Sequence, residues 1–471
     1  MTAGPVPRRA AAGGPPRLLR ALFVAAAAAV LLSGPSAAPP PLLQLLAPSA
    51  LAPVFALRFA GAASAGAAGA SAAPPSAPPP RPPRPYEDPS SFPVLRVAMQ
   101  TVWDVPPAAI LDELWPLRVA AERALRRRLM PADGEEPDMY IIGPYGGRRD
   151  DVEALAARTR GRAVTLFLGI ENSEGGGGRY EDLRDHLVGI TTVSIGFRRD
   201  VEASAREREK EMRAAAAAGA ASAADPLNLA RPYLRMPGWL SIVCERSNAT
   251  GIALPAALVR SRAPGPVPGA REEAEAWAQR EGFAAILSSH FAYPRGELYD
   301  AFSAVGRVDG PGAAFHTIEW PADLPNTRHL GGGKVEFLKR YRFNLCPENS
   351  RSSDGGYTTE KMPQAHLAGA VPVYWGDAPA EVWSPRRVVR FEPERAGSVA
   401  EAMAVVAQLE LNASFRAEWF ARPLLADGAE RWVAQWLEDA EALLRDAFGA
   451  LASAKAAAEQ DRRAVGLAPA G

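Results

Sequence analysis

From residue 93 onward, short apolar runs alternate with amphipathic stretches, and that rhythm predicts strands and helices in turn. Residues 94–99, 139–142, 163–168 and 191–197 carry compact runs rich in Val, Ile, Leu and Phe, as expected of strands buried on both faces. Residues 107–129 place apolar side chains at helical spacing and end on Arg126, Arg127 and Arg128, which predicts one long helix with a basic last turn. Residues 202–228 are charged first and Ala-rich afterwards, the pattern of an exposed helical insertion with no apolar face. A loop at 263–269, containing Pro and Gly, marks a linker. Beyond it, strands are expected at 283–288, 343–346, 371–375 and 388–391, with a short helix at 296–302. Past Ser398 the chain reads as helical, and Trp432, Val433, Trp436, Leu437, Leu444 and Phe448 share one face.

Strands alternating with helices imply largely parallel sheets covered on both sides. Two such units in tandem leave a cleft where strand carboxyl ends face each other. The expected fold class is therefore α/β, with two Rossmann-like domains facing a cleft and helices at the C-terminus. The boundaries fall at 87–265 for the first domain and 270–450 for the second, with a tail at 451–471.

Residues 1–86 follow no such rhythm. They are rich in Ala, Pro and Gly and end in a Pro-rich stretch at 74–85. Arg8, Arg9, Arg17 and Arg20 precede an apolar run at 21–32, the layout of a secretory signal or a short signal-anchor. That run is shorter than the roughly 20 residues a spanning helix needs. A second Leu- and Ala-rich stretch, 42–62, is the other candidate span, and a plastid-type leader is a third reading. Cleaved signal and retained anchor both stay open. Two Asn-x-Ser/Thr triplets, at Asn248 and Asn412, fit a luminal route.

Composition narrows the chemistry. A hydrophobic share of 48% and ten Trp support a large core, while 53 Lys+Arg against 53 Asp+Glu leave no basic field for nucleic acid. Cys244 and Cys346 allow one disulfide at most and no Cys-based zinc site. His186, His290, His316, His329 and His366 lack metal-ligand spacing, and the chain contains no Asp-x-Asp triplet to clamp a metal-bound diphosphate.

Residues 334–376 are the most informative segment. A buried strand at 343–346 delivers Glu348 and Asn349 to its carboxyl end, and a polar loop at 350–356 turns the chain. Thr358 or Thr359 is placed to cap a short helix that starts near Glu360 and stops at Gly369, with Pro363 in its tolerant first turn. Lys361 in that turn combines a full positive charge with oriented N–H groups, which makes an anion site. A cation at the positive end of a helix is mismatched, so a bound anion is the expected partner.

The same segment resembles the α-1,3/4-fucosyltransferases of glycosyltransferase family 10. The resemblance rests on Phe343-Asn344-Leu345-Cys346-Pro347-Glu348-Asn349, on Tyr357-Thr358-Thr359-Glu360-Lys361 and on Pro372-Val373-Tyr374-Trp375-Gly376. Upstream, residues 283–295 followed by Tyr299 and Phe302 resemble the family's strand-loop-Arg element. Gly169-Ile170-Glu171-Asn172, Ile195-Gly196-Phe197 and Tyr233-Leu234-Arg235-Met236-Pro237 resemble elements of its first domain. Together these matches span about residues 93–445.

The resemblance implies a GT-B fold, GDP-fucose as donor and inversion at the fucose anomeric carbon. It further implies a glycan acceptor, with O3 of GlcNAc the expected hydroxyl. By position it assigns Glu171 as general base, with Glu174 the substitute should the register slip. It assigns Arg295, Asn349, Tyr357, Glu360 and Lys361 to the donor. No obligatory cofactor is implied, Mn²⁺ being at most a stimulant. The implied setting is the Golgi membrane, as a single-pass type II protein, or the lumen after signal cleavage. Another nucleotide-sugar donor, or a non-catalytic glycan-binding role, are the rival readings.

Overall fold

The computed structural model describes residues 87–100, 106–144, 149–169, 190–218, 227–260, 269–325, 332–351, 356–377 and 380–465. The expected leader, anchor and stalk at 1–86 lie outside them. Among the described residues, no helix is long and apolar enough to cross a membrane.

The first unit is a six-stranded sheet in the order β2-β1-β3-β4-β5-β6. Its strands are β1 (Val94–Gln100), β2 (Arg128–Pro131), β3 (Met139–Ile142), β4 (Val164–Gly169), β5 (Val193–Gly196) and β6 (Tyr233–Arg235). Every pairing is parallel, so all the carboxyl ends lie along one edge. The single helix expected at 107–129 is two helices and a strand. α1 (Pro107–Glu113) stops at Leu114, and α2 (Trp115–Leu125) restarts with Pro116 in its first turn, where the missing N–H is harmless. Arg126 adopts a left-handed conformation that ends α2, so the basic run turns the corner into β2 instead of finishing a helix.

α3 (Arg149–Thr159) and α4 (Arg199–Ala217) follow β3 and β5. α4 is the exposed helix expected near 202–228, with only Ala205 buried. Ion pairs rather than apolar contacts hold it down: Glu202 to Arg235 at 3.3 Å and Arg206 to Asp439 at 2.9 Å. An antiparallel hairpin, β7 (Glu245–Ser247) and β8 (Gly251–Ala253), carries the Asn248 triplet in its exposed turn.

The second unit is a five-stranded parallel sheet in the order β10-β9-β11-β12-β13. Its strands are β9 (Gly282–Ile286), β10 (Val308–Asp309), β11 (Tyr341–Pro347), β12 (Val371–Trp375) and β13 (Val389–Arg390). α5 (Ala270–Ala278) precedes β9, α6 (Arg295–Ser303) follows it, and α7 (Lys361–Leu367) joins β11 to β12. Trp277, Phe283, Phe302 and Phe343 meet mostly edge to face in this core.

α8 (Ser398–Leu411) and α9 (Ala413–Phe420) cover the second sheet, after which α10 (Ala429–Ala464) crosses back to the first unit. There Val433, Trp436, Leu437, Ala440 and Leu444 are buried against a core shared with α2, and Trp436 Nε1 donates to Arg235 O at 2.9 Å. Each large apolar side chain so buried contributes about 1.5–3 kcal/mol. α10 continues into the region expected as a tail, as far as Ala464. Asn412 caps α9, its Oδ1 accepting from Phe415 N at 3.0 Å. Cys244 and Cys346 are both buried free thiols, so the disulfide that the composition allowed is not formed.

Candidate functional site

β9 and β11 are neighbours in the second sheet, but the connection after β9 runs outward to β10 and that after β11 runs the other way to β12. The loops leaving their carboxyl ends therefore diverge and open a crevice, where parallel α/β sheets take their ligands. The loop after β9 leads into Arg295, and the loop after β11 carries Glu348 and Asn349.

Arg295 is only 2% exposed. Its Nη1 donates to His290 O at 2.7 Å and its Nη2 to Asn349 Oδ1 at 2.6 Å, which ties the two loops together. It makes no ion pair with Glu297, two residues along α6. Its Nε is buried with no partner among the described residues. Burial draws the guanidinium below its ordinary pKa, with Glu348 and Tyr357 opposing, but an Arg side chain remains charged at neutral pH. His290, exposed beside it, is also pushed down, by burial and then by Arg295 and Lys361. Both cations thus act on one small region.

Lys361 opens α7 with a partner that sequence reasoning did not supply. Instead of awaiting an external anion, its Nζ lies 3.2 Å from Glu348 Oε2 and 2.9 Å from Thr359 Oγ1. Glu348 is wholly buried. It also accepts from Thr359 N at 2.9 Å, Thr359 Oγ1 at 2.6 Å and Tyr374 Oη at 3.2 Å. Neither threonine caps α7, because Glu360 occupies the cap position without a side-chain bond and Thr359 is committed to Glu348. Lys361 is pulled down by burial, yet Glu360 and Glu348 more than compensate and raise its pKa. For Glu360 burial works upward, but Lys361 and Lys334 prevail and bring it down to about 2. Lys334 Nζ stands 3.7 Å from Glu360 Oε1.

Tyr357 is 2% exposed and packs edge-on against Phe197 of the first unit, ring centres 4.9 Å apart. Beside it, Gly238 N donates to Thr358 O at 3.1 Å, and Arg235 reaches Glu381 at 2.7 Å. The loop that precedes Lys361 is thereby pinned to the first unit. Gly376, at the end of β12, faces Glu348 so closely that an added Cβ would lie 2.6 Å from its Cγ. Tyr374 and Trp375 are buried, as core and wall.

Arg295, Asn349, Tyr357, Glu360 and Lys361 are thus gathered around one set of strand ends. Glu171 and Glu174 lie outside the described residues, whereas β4 ends at Gly169, two positions before Glu171. The residue sequence reasoning undervalued is Glu348. Its signals were its place just after an apolar strand and inside the motif that carries the resemblance, but neither gave it a role. A cavity of about 770 Å³ lined by Gly282, Tyr341, Arg307 and Asp309 lies at the opposite, amino-terminal edge of the second sheet. Arg307, Lys339 and Arg340 around it are each paired with a carboxylate, and Arg280 donates to the carbonyl oxygens of Tyr341 and Ala368.

What this arrangement can do is hold negative charge. Two cations, Arg295 opening α6 and Lys361 opening α7, stand beside one crevice, one a rigid fork and the other a point charge, the combination that suits a diphosphate.

No family model matches the chain. Over 112 residues it is 34% identical to the alpha-(1,3)-fucosyltransferase FucT of Helicobacter pylori, a stretch covering 23% of this chain and 21% of that one. Over 52 residues it is 48% identical to a fucosyltransferase-like protein of Arabidopsis thaliana, covering 11% and 10%. The chain thus spans about a fifth and a tenth of the lengths of these curated relatives. Among solved structures, a crystal structure of alpha1,3-fucosyltransferase aligns with 77% of this chain and 95% of its own, at 18% identity and a TM-score of 0.44. One of alpha1,3-fucosyltransferase with GDP-fucose aligns over 75% and 91%, at 17% identity and 0.42.

Proposed function

We propose that this chain is an inverting fucosyltransferase that moves L-fucose from GDP-fucose to a sugar hydroxyl, with O3 of GlcNAc in a glycan the expected acceptor. The observation that carries it is the pairing of Arg295 with Asn349 at the point where the sheet's connections diverge, with Lys361 fixed beside them. The local identity to an alpha-(1,3)-fucosyltransferase supports the same assignment.

The acceptor oxygen attacks the fucose anomeric carbon from the face opposite the nucleotide. As the bond from that carbon to the β-phosphate oxygen breaks, charge grows on the departing GDP. Cations already in place stabilise that charge more in the transition state than in the ground state. Arg295 supplies a fixed positive charge at the base of the crevice, and Lys361 adds a charge that Glu360 and Glu348 keep protonated. Asn349 and Glu360 are assigned hydrogen bonds to donor hydroxyls, and Tyr357 a packing or phosphate contact. Glu171 is assigned the acceptor's proton. Its removal as base should lower kcat by about 10²–10⁴ while leaving donor affinity unchanged. Charge neutralisation by side chains needs no obligatory metal, and Mn²⁺ is assigned at most a stimulating role. The setting proposed is the Golgi lumen, with membrane attachment through residues 1–86 where these are retained.

A donor panel tests the reading. GDP-fucose should be consumed in preference to GDP-mannose and UDP-sugars, with a β-linked donor giving an α-linked product. Preference for another nucleotide sugar, or retention of anomeric configuration, would refute it.

A further inference from the structure

We propose that Glu348 is a positioning residue for this reaction, a buried carboxylate that sets where the Lys361 ammonium stands. The inference rests on the donor reading above and extends it to a residue that the ligand never meets.

Glu348 has no exposed surface, so it cannot touch a substrate. An acid in that position needs a reason, because taking a carboxylate out of water costs several kcal/mol unless its oxygens are fully engaged. They are: Oε1 accepts from Thr359 N and Tyr374 Oη, and Oε2 from Thr359 Oγ1 and Lys361 Nζ. Holding the 357–360 turn alone would need only a neutral acceptor. The negative charge is required by one partner, Lys361.

Thr359 completes the device. Its single hydroxyl proton goes to Glu348 at 2.6 Å while its oxygen accepts from Lys361 at 2.9 Å, so three side chains close a ring with matched donors and acceptors. The ring has a rigid base. Glu348 N donates to Trp375 O at 2.9 Å, in register with the β11–β12 ladder, and Gly376 leaves the space that its side chain fills. Glu360 also attracts Lys361, but it is itself shared with Lys334 and partly exposed. Glu348 is the fixed anchor.

The test is a double-mutant cycle on the full chain, with GDP affinity read by calorimetry from pH 7 to 10.5. Glu348→Gln should weaken GDP binding about tenfold, as expected for one charge-assisted contact put out of place. In a Lys361→Met background the same change should add little. Glu348→Gln should also bring an alkaline loss of binding into this range, which wild type largely escapes because Lys361 titrates above its ordinary value, and Glu348→Asp should restore most of that protection. Additive losses in the cycle, or an unmoved alkaline limb, would overturn the proposal. Should Glu348→Gln show no cooperative melt, Thr359→Val breaks the ring and leaves the carboxylate in place. A loss with Thr359→Val that persists undiminished beside Lys361→Met would overturn it as well. A wild-type chain that binds no GDP sinks the donor reading and this role together; a chain that binds GDP but shows additive variants sinks only this role.

Discussion

His366→Gln should flatten the acid side of this protein's stability curve. His366 sits on α7 and is 5% exposed, stacked on Trp383 with ring centres 5.8 Å apart and its Nε2 without a partner among the described residues. Burial, and after it the nearby Arg387, push its pKa from 6.5 to about 3. Because the folded value lies below the unfolded one, the fold favours the neutral ring. That contribution is complete above pH 6.5 and is lost as pH falls from 6.5 towards 3. Each unit corresponds to about 1.36 kcal/mol, so at pH 4.5 the unfolded chain gains some 2.7 kcal/mol by taking a proton that the folded chain refuses. Urea unfolding at pH 7.5 and 4.5 should show wild type losing about 2–3 kcal/mol more than His366→Gln. Groups titrating elsewhere cancel in that comparison. Glu360, lowered to about 2, loses its own stabilising contribution between 4.5 and 2, below the chosen window. Equal losses in the two chains would refute the reasoning. Since α7 begins with Lys361, the same protonation should loosen the proposed donor site.

Other expectations follow from single contacts. Gly376→Ala places a Cβ 2.5 Å from Tyr374 Oη and 2.6 Å from Glu348 Cγ, and should cost about 1–3 kcal/mol by overpacking; an unchanged Tm in scanning fluorimetry would contradict this. Expressed through a eukaryotic secretory pathway, the chain should carry an N-glycan at Asn248, in the exposed hairpin turn. Asn412, whose amide caps α9 and donates to Gln408 at 3.1 Å, should stay unmodified. Deglycosylation should then shift wild type and Asn412→Gln on a gel but not Asn248→Gln, and the reverse pattern would refute the assignment.

The strands that were legible in the sequence are the ones buried on both faces. β3 and β12 fall where their unbroken apolar runs place them, since such runs have no other way to hide two faces. β2 was hidden inside a helical periodicity, and only the break at Leu114 and the left-handed Arg126 separate it. β10 is two residues long, too short for any pattern. At the site, Arg295 and Lys361 were legible as residue types suited to phosphate, but their partners were not. Glu348 meets Tyr374 because Pro347 pairs with Trp375 across two parallel strands, a register that no local window contains. The interlocking of Tyr357 with Phe197 is invisible for the same reason, being a contact between the two units.

The central claim is that Arg295 and Lys361 hold a guanosine diphosphate at the carboxyl ends of β9 and β11. Calorimetric titration of GDP into wild type and into the Arg295→Ala/Lys361→Ala variant tests it most directly, with a cooperative melt required of both chains. Wild type should bind, and the double variant should bind at least about 100-fold more weakly, the loss expected from two charge-assisted contacts. Equal affinity in the two chains, or no binding by wild type, would contradict it.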